Sequence, residues 1–167
     1  MIERSLSFEY DIQYGDQFQE QVSAGDPNPL TGIRVLVGGQ DLGGASGKTD
    51  TYHVDDYVHY NLANILQKLK NAVTSGEREE ATFYATNVTL ALIPEDDAIH
   101  IGLFRGSDIA SAISSSELVA VPRDTIVREF ARATEEFIRT CESINPELRG
   151  CDEFERLSAL VSELSEL

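Results

Sequence analysis

The sequence predicts a single α+β domain: a mostly antiparallel sheet of about five strands, in the order β-β-α-β-β-β-α-α, with helices packed on one face. Three observations predict it. Residues 80–104 hold two β-prone runs joined by a short polar turn, the pattern of an antiparallel hairpin. Residues 6–12 alternate apolar and polar side chains, the signature of a strand with one face on a core. Segments 56–73, 123–141 and 152–164 space their apolar residues by three and four, so each presents one helical stripe that must be buried against a platform. At 167 residues the chain fits one domain, 1–167, large enough for a core of its own.

In chain order, Leu6, Phe8, Tyr10 and Ile12 alternate with Ser5, Ser7, Glu9 and Asp11. Residues 15–30 are polar and end in GDPNPL, whose two prolines cannot donate to a ladder, so this stretch is read as a connecting loop. Ile33, Val35 and Val37, with Leu36 between them, predict a second short strand. Residues 38–50 carry five of the 12 glycines and are read as a flexible loop. From Val58 the stripe Leu62, Ile65, Leu66, Leu69 and Val73 predicts a helix, with Asp55 or Asp56 capping its amino end and Ser75-Gly76 stopping it.

In the central hairpin, Tyr84, Val88, Leu90 and Leu92 occupy one face of the first arm, and Phe83, Ala85, Ala91 and Ile93 the other. Apolar content on both faces argues for a covered strand. Pro94, Glu95, Asp96 and Asp97 supply the turn; Ile99, Ile101 and Leu103 form one side of the second arm, with His100 and Gly102 on the other. Residues 105–116, rich in small polar side chains, are read as a loop, and 117–121 as a strand pairing with the hairpin. Pro122, Arg123 and Asp124 suit the first turn of a helix buried along Ile126, Phe130, Ala133, Phe137 and Cys141, with Val127, Thr134 and Ile138 at its margin. Asp152 and Glu155 have capping-box spacing before a last helix whose apolar face is Phe154, Leu157, Val161 and Leu164.

Charge bounds the partners. Asp and Glu number 29 against 13 Lys and Arg, a formal charge of -16. Nucleic acid is excluded as an expected partner, because binding it needs a basic surface. Only Lys48, Lys68 and Lys70 are lysines, and the acids are spread evenly: 10 acids and 3 bases in 1–60, 7 and 4 in 61–116, 12 and 6 in 117–167. That spread resembles the lysine-poor, acid-rich composition of proteins from extreme halophiles, a bias that names no family; it predicts adaptation to a high-salt cytoplasm. No apolar run reaches the ~20 residues that span a bilayer. The first residues lack a basic region followed by an apolar one, so no membrane association is expected and a cytoplasmic location is.

No motif names a reaction. Gly47-Lys48-Thr49 ends like a phosphate-binding loop, but Leu42 stands where that loop's first glycine belongs. His53, Asp55, Asp56 and His59 form the one local cluster with metal-ligand chemistry. On a helix Asp55 and His59 would share a face, but two ligands do not make a site and His100 is the only further histidine. These five residues are therefore read as helix caps and surface groups, with no metal or cofactor expected. Glu95, Asp96 and Asp97 are read as a solvated turn, not an acid–base pair. Cys141 falls on a buried stripe and Cys151 at a helix start; both are expected as free thiols.

A well-patterned scaffold without convergent polar chemistry points to a small acidic binding or regulatory protein, not an enzyme. Its expected partner is another protein, in particular a basic one as for an antitoxin or immunity-type protein, or a second copy forming a homodimer along the 6–12 or 117–121 strand. The alternative is an enzyme or a metal- or ligand-binding protein with a pocket between the 38–50 loop and the first helix, lined by Tyr52, His53, Asp56, Tyr57 and His59.

Overall fold

The computed structural model describes residues 7–42, 54–105 and 118–167. Within them, helices pack against antiparallel sheets, as an α+β fold requires. The sheet content exceeds the expected five strands in one sheet: eight strands form two four-stranded antiparallel sheets.

The first sheet is built on a central strand, β2 (Leu30–Val37), paired with β1 (Phe8–Ile12) on one side and with the short β3 (Gln40–Asp41) and β4 (Val54–Tyr57) on the other. The β2–β3 hairpin closes through Gly38 and Gly39, at φ 59° and 82°, left-handed values that glycine adopts without steric cost. Part of the expected glycine-rich loop is thus a hairpin, whereas Gly47-Lys48-Thr49 lies outside the described residues. Alternation in β1 holds, with Phe8, Tyr10 and Ile12 buried and Glu9 exposed.

The expected loop over 15–30 contains a helix, α1 (Asp16–Ser23), because Phe18 and Val22, one turn apart, are both buried. Phe18 meets Tyr14 and Phe137 edge-on, which anchors this otherwise polar segment on the core. Gln21 then braces the start of β2: its amide donates to the Leu30 carbonyl and accepts from the Leu30 N–H, both at 2.8 Å.

The helix expected to begin at Asp55 or Asp56 begins later, as α2 (Val58–Ser75), and ends on Gly76 at φ 73°. Asp55 and Asp56 lie instead in β4, where Val54 and Asp56 face inward and Asp55 faces out. Capping comes from the preceding loop: Val58 N–H donates to the Pro29 carbonyl at 2.9 Å, and Tyr60 N–H to Asn28 Oδ1 at 3.1 Å.

The second sheet has the order β5 (Glu79–Thr82), β6 (Val88–Glu95), β7 (Ala98–Arg105), β8 (Val119–Pro122). The hairpin predicted over 80–104 is β6–β7, in register from Val88↔Arg105 to Glu95↔Ala98, and the strand expected over 117–121 pairs with it as β8. Its turn is shorter than expected: Pro94 and Glu95 continue the strand, and Asp96 takes the left-handed value (φ 56°) that a two-residue turn demands. The expected first arm divides into β5 and β6, with a bend over 83–87 between them. On the outer side of this sheet, Phe104 and Leu118 cover Gly102 so closely that a Cβ there would meet them at 2.8–2.9 Å. The loop expected over 105–116 falls almost wholly outside the described residues.

Helix α3 (Arg123–Ile144) buries the expected stripe and adds Thr134, whose hydroxyl is satisfied by the Phe130 carbonyl at 2.7 Å. Helices α2 and α3 each touch strands of both sheets. The last helix, α4 (Asp152–Ser165), packs on α2 and α3 and so forms an outer layer. Its buried face is Phe154, Leu157, Leu160 and Leu164, with Val161 only half-buried. Asp152 is the first helical residue and makes no capping bond; Cys151 occupies the cap position. Cys141 is buried and Cys151 half-buried, both free thiols, and burial, with Cys151 next in effect, pushes the Cys141 pKa up to about 12. Among the described residues no helix is long and apolar enough to cross a membrane.

Phe137 joins three helices, touching Phe18 of α1 and Phe154 of α4 edge-on at centroid distances of 6.1 and 5.8 Å. Phe137→Ala is expected to cost about 3–5 kcal/mol, the usual loss for deleting a buried ring, read as a lowered urea midpoint with an unchanged slope.

Candidate functional site

The most polar part of the interior is a chain of hydrogen bonds between the two sheets. Tyr10 Oη donates to Asn61 Oδ1 at 2.5 Å, and Asn61 Nδ2 donates to Asp56 Oδ2 at 2.9 Å. The same carboxylate accepts the backbone N–H groups of Tyr84 at 3.2 Å and Ala85 at 3.0 Å. Asp56 is 0% exposed and Asn61 1% exposed. Burial foremost, then the Asp56 charge and Tyr14, raise the Tyr10 pKa well above its ordinary value, which keeps the phenol protonated as a donor. Asp56 thus holds the 83–87 bend in place, the role of a buried carboxylate whose acceptors are filled.

Because that bend is held, Tyr84 points outward. It is 74% exposed and meets Tyr57 of β4 and Tyr60 in the first turn of α2, at centroid distances of 5.9 and 5.7 Å. With Asn28 the three rings line a hollow of about 310 Å³. A second hollow, about 300 Å³, adjoins it through Asn28 and Tyr60 and includes His59 and Arg156.

The residues singled out in the sequence are dispersed. Asp55 and Tyr57 face outward from β4, which puts Asp55 and His59 on different elements instead of one helical face. His59 turns toward α4, with Nε2 buried and without a hydrogen-bond partner among the described residues. Burial, then the Arg156 charge, lower its pKa, opposed by Glu153. His100 lies on the second sheet, with Nε2 3.1 Å from Glu95. His53 and Tyr52 lie outside the described residues. Among the described residues no group of three His, Cys, Asp or Glu could hold a metal ion. Asp96 and Asp97 are exposed, as expected of a solvated turn.

Two further features bear on binding. Pairing in the first sheet places Glu9, Asp11, Asp41 and Asp55 on its outer face with Arg34, which bonds Asp11 at 2.7 Å. The free edge of β1 is covered at its middle: Tyr10 N–H donates to Glu129 Oε2 at 2.8 Å, and Arg132, bonded to Glu129 and Glu136, reaches the Tyr10 carbonyl at 3.4 Å. These carboxylates, Glu129 first, raise the Arg132 pKa despite partial burial.

Sequence reasoning missed Tyr60, Tyr84, Asn61 and the role of Asp56. No local signal marks them, since Tyr84 fits an alternating strand and DD before a helix fits a cap. Compared with protein-family models, curated proteins and solved structures, the chain matches none.

Two measurements check this site. Asp56→Ala strands the Tyr84 and Ala85 amides and the Asn61 amide, so it should lower unfolding free energy by about 3–5 kcal/mol and speed hydrogen exchange at residues 84 and 85 first. His59 resists protonation in the fold, so as pH falls below its ordinary value of about 6.5 the unfolded chain takes up more protons and stability drops. His59→Gln should remove that part of the pH dependence, seen in urea midpoints across pH 7.5 to 5 relative to the unaltered protein.

Proposed function

We propose that this is a small non-enzymatic binding or regulatory protein of a high-salt cytoplasm that engages a basic partner protein. The observation that carries the reading is the exposed corner formed by Tyr57, Tyr60 and Tyr84, beside Asp55 on the same outward side of β4. Tyrosines on well-supported positions contribute large contact area at little entropic cost and are enriched among residues that dominate interface energy. On the neighbouring sheet face Glu9 is also exposed, and the chain's charge of -16 suits a basic surface. In molar salt charges act over only ~3 Å, so recognition has to rest on contact, which aromatic rings provide. Neutralising a basic toxin, as an antitoxin or immunity-type protein does, fits this chemistry.

The second reading, a ligand- or metal-binding pocket near 38–60 and the first helix, draws on the unpartnered His59 Nε2 beside the hollow it shares with Arg156. Zinc titration followed by the imidazole NMR signals distinguishes it, since only that reading expects His59 to respond.

The binding reading is tested by immobilising the protein, passing a lysate of the source cells over it in molar potassium chloride, and identifying what stays. The expected result is a basic protein whose retention falls about tenfold with Tyr84→Ala, a hot-spot-sized loss. Capture of nothing, or equal capture by both proteins, overturns it. So does a dimer in solution whose interface covers the three tyrosines.

A further inference from the structure

Resting on that reading, we propose that the hollow between Tyr57, Tyr60 and Tyr84 seats the guanidinium of a partner arginine. The rings meet at interplanar angles of 59° and 65°, so Tyr84 does not stack flat on either neighbour, and all three line the hollow of about 310 Å³. Aromatic faces carry the negative part of the ring quadrupole, which favours a cation above them.

Apart from Arg156 in the adjoining hollow, the surroundings favour positive charge. A helix amino end ordinarily attracts anions. Here the Val58 and Tyr60 amides are already taken by the Pro29 carbonyl and by Asn28 Oδ1, which withdraws two of the donors an anion would use. Asn28 Oδ1 keeps a second lone pair for a donor from the hollow, and Asp55 stands two residues from Tyr57 on the same side of β4. The cradle is preformed, because the backbone N–H of Tyr84 is tied to the buried Asp56 carboxylate at 3.2 Å.

Arginine fits better than lysine for two reasons. Its guanidinium is planar and weakly hydrated, so it stacks on a ring at small desolvation cost, whereas an ammonium is compact and strongly hydrated. Its several in-plane donors can also reach Asn28 Oδ1 and the tyrosine hydroxyls while its face lies on a ring. High salt weakens the long-range attraction of both side chains but leaves stacking intact.

The test is an NMR titration of the whole protein in molar potassium chloride with three capped peptides, Gly-Gly-Arg-Gly-Gly and its lysine and citrulline counterparts; citrulline keeps arginine's shape without its charge. The expected result is shifts centred on the ring signals of Tyr57, Tyr60 and Tyr84, with the arginine peptide binding about two- to fivefold more tightly than either other peptide, the scale of an exposed cation–ring contact. Tyr84→Phe should retain that preference and Tyr84→Leu should lose it; Tyr84 is exposed, so neither substitution disturbs the core. Equal binding of all three peptides, shifts spread over the acidic sheet face, or an unchanged preference in Tyr84→Leu would each overturn the proposal. Failure here with Tyr84-dependent capture intact removes the arginine seat and leaves the binding reading standing. The reverse outcome removes the binding reading alone.

Discussion

A buried carboxylate with no cation beside it among the described residues is what the rest of this structure is arranged around. Taking Asp56 out of water costs several kcal/mol unless its oxygens are filled. Three donors fill them, one from the Asn61 side chain and two from the backbone at 84 and 85. Those donors come from α2 and from the bend between β5 and β6, while Asp56 belongs to β4 and Tyr10, which orients Asn61, belongs to β1. One charge therefore ties the first sheet, the central helix and the second sheet together. Apolar packing makes the core compact; this network sets the register of its parts, because a slipped arrangement would leave a charge unpaired.

The surface follows from that arrangement. With the bend held from inside, Tyr84 has no room in the core and stands out between Tyr57 and Tyr60. Helices α2 and α3 cover the inner faces of both sheets, α4 stacks on the helices, and on the outer face of the first sheet Glu9 and Asp55 are exposed. The β1 edge is guarded by chemistry from α3, where Glu129 and Arg132 take the two outward backbone groups of Tyr10 that another strand would use. Asp56, Glu129 and Arg132 thus have local work in addition to any role in hydration.

Legibility in the sequence divided along physical lines. Periodic apolar patterns were readable: Phe8, Tyr10 and Ile12 in β1, Val88, Leu90, Leu92, Ile99 and Ile101 of the β6–β7 hairpin, and the Ile126 to Cys141 stripe are buried as their spacing indicates. Patterns with few apolar residues were not. Phe18 and Val22 alone could not announce α1 against its polar neighbours and the prolines beyond. Asp55 and Asp56 looked like caps because aspartate before a helical stripe usually is one. The alternation of Val54 and Asp56 against Asp55 and Tyr57 was as good a strand pattern, and the Asn28–Pro29 loop took over the capping. Leu160 replaced Val161 because α4 docks on two helices, which turns its buried stripe toward both.

What the sequence determined by itself was the class of fold, the strands and helices with a strong period, and the acidic charge, since each depends on residues near one another in the chain or on composition alone. What only the tertiary structure decided was which residues meet. Tyr10 and Asn61 are 51 positions apart and Asp56 and Tyr84 are 28 apart. Contacts at that separation leave no local period, because what makes an aspartate buried or a tyrosine exposed is the company brought to it by distant parts of the chain.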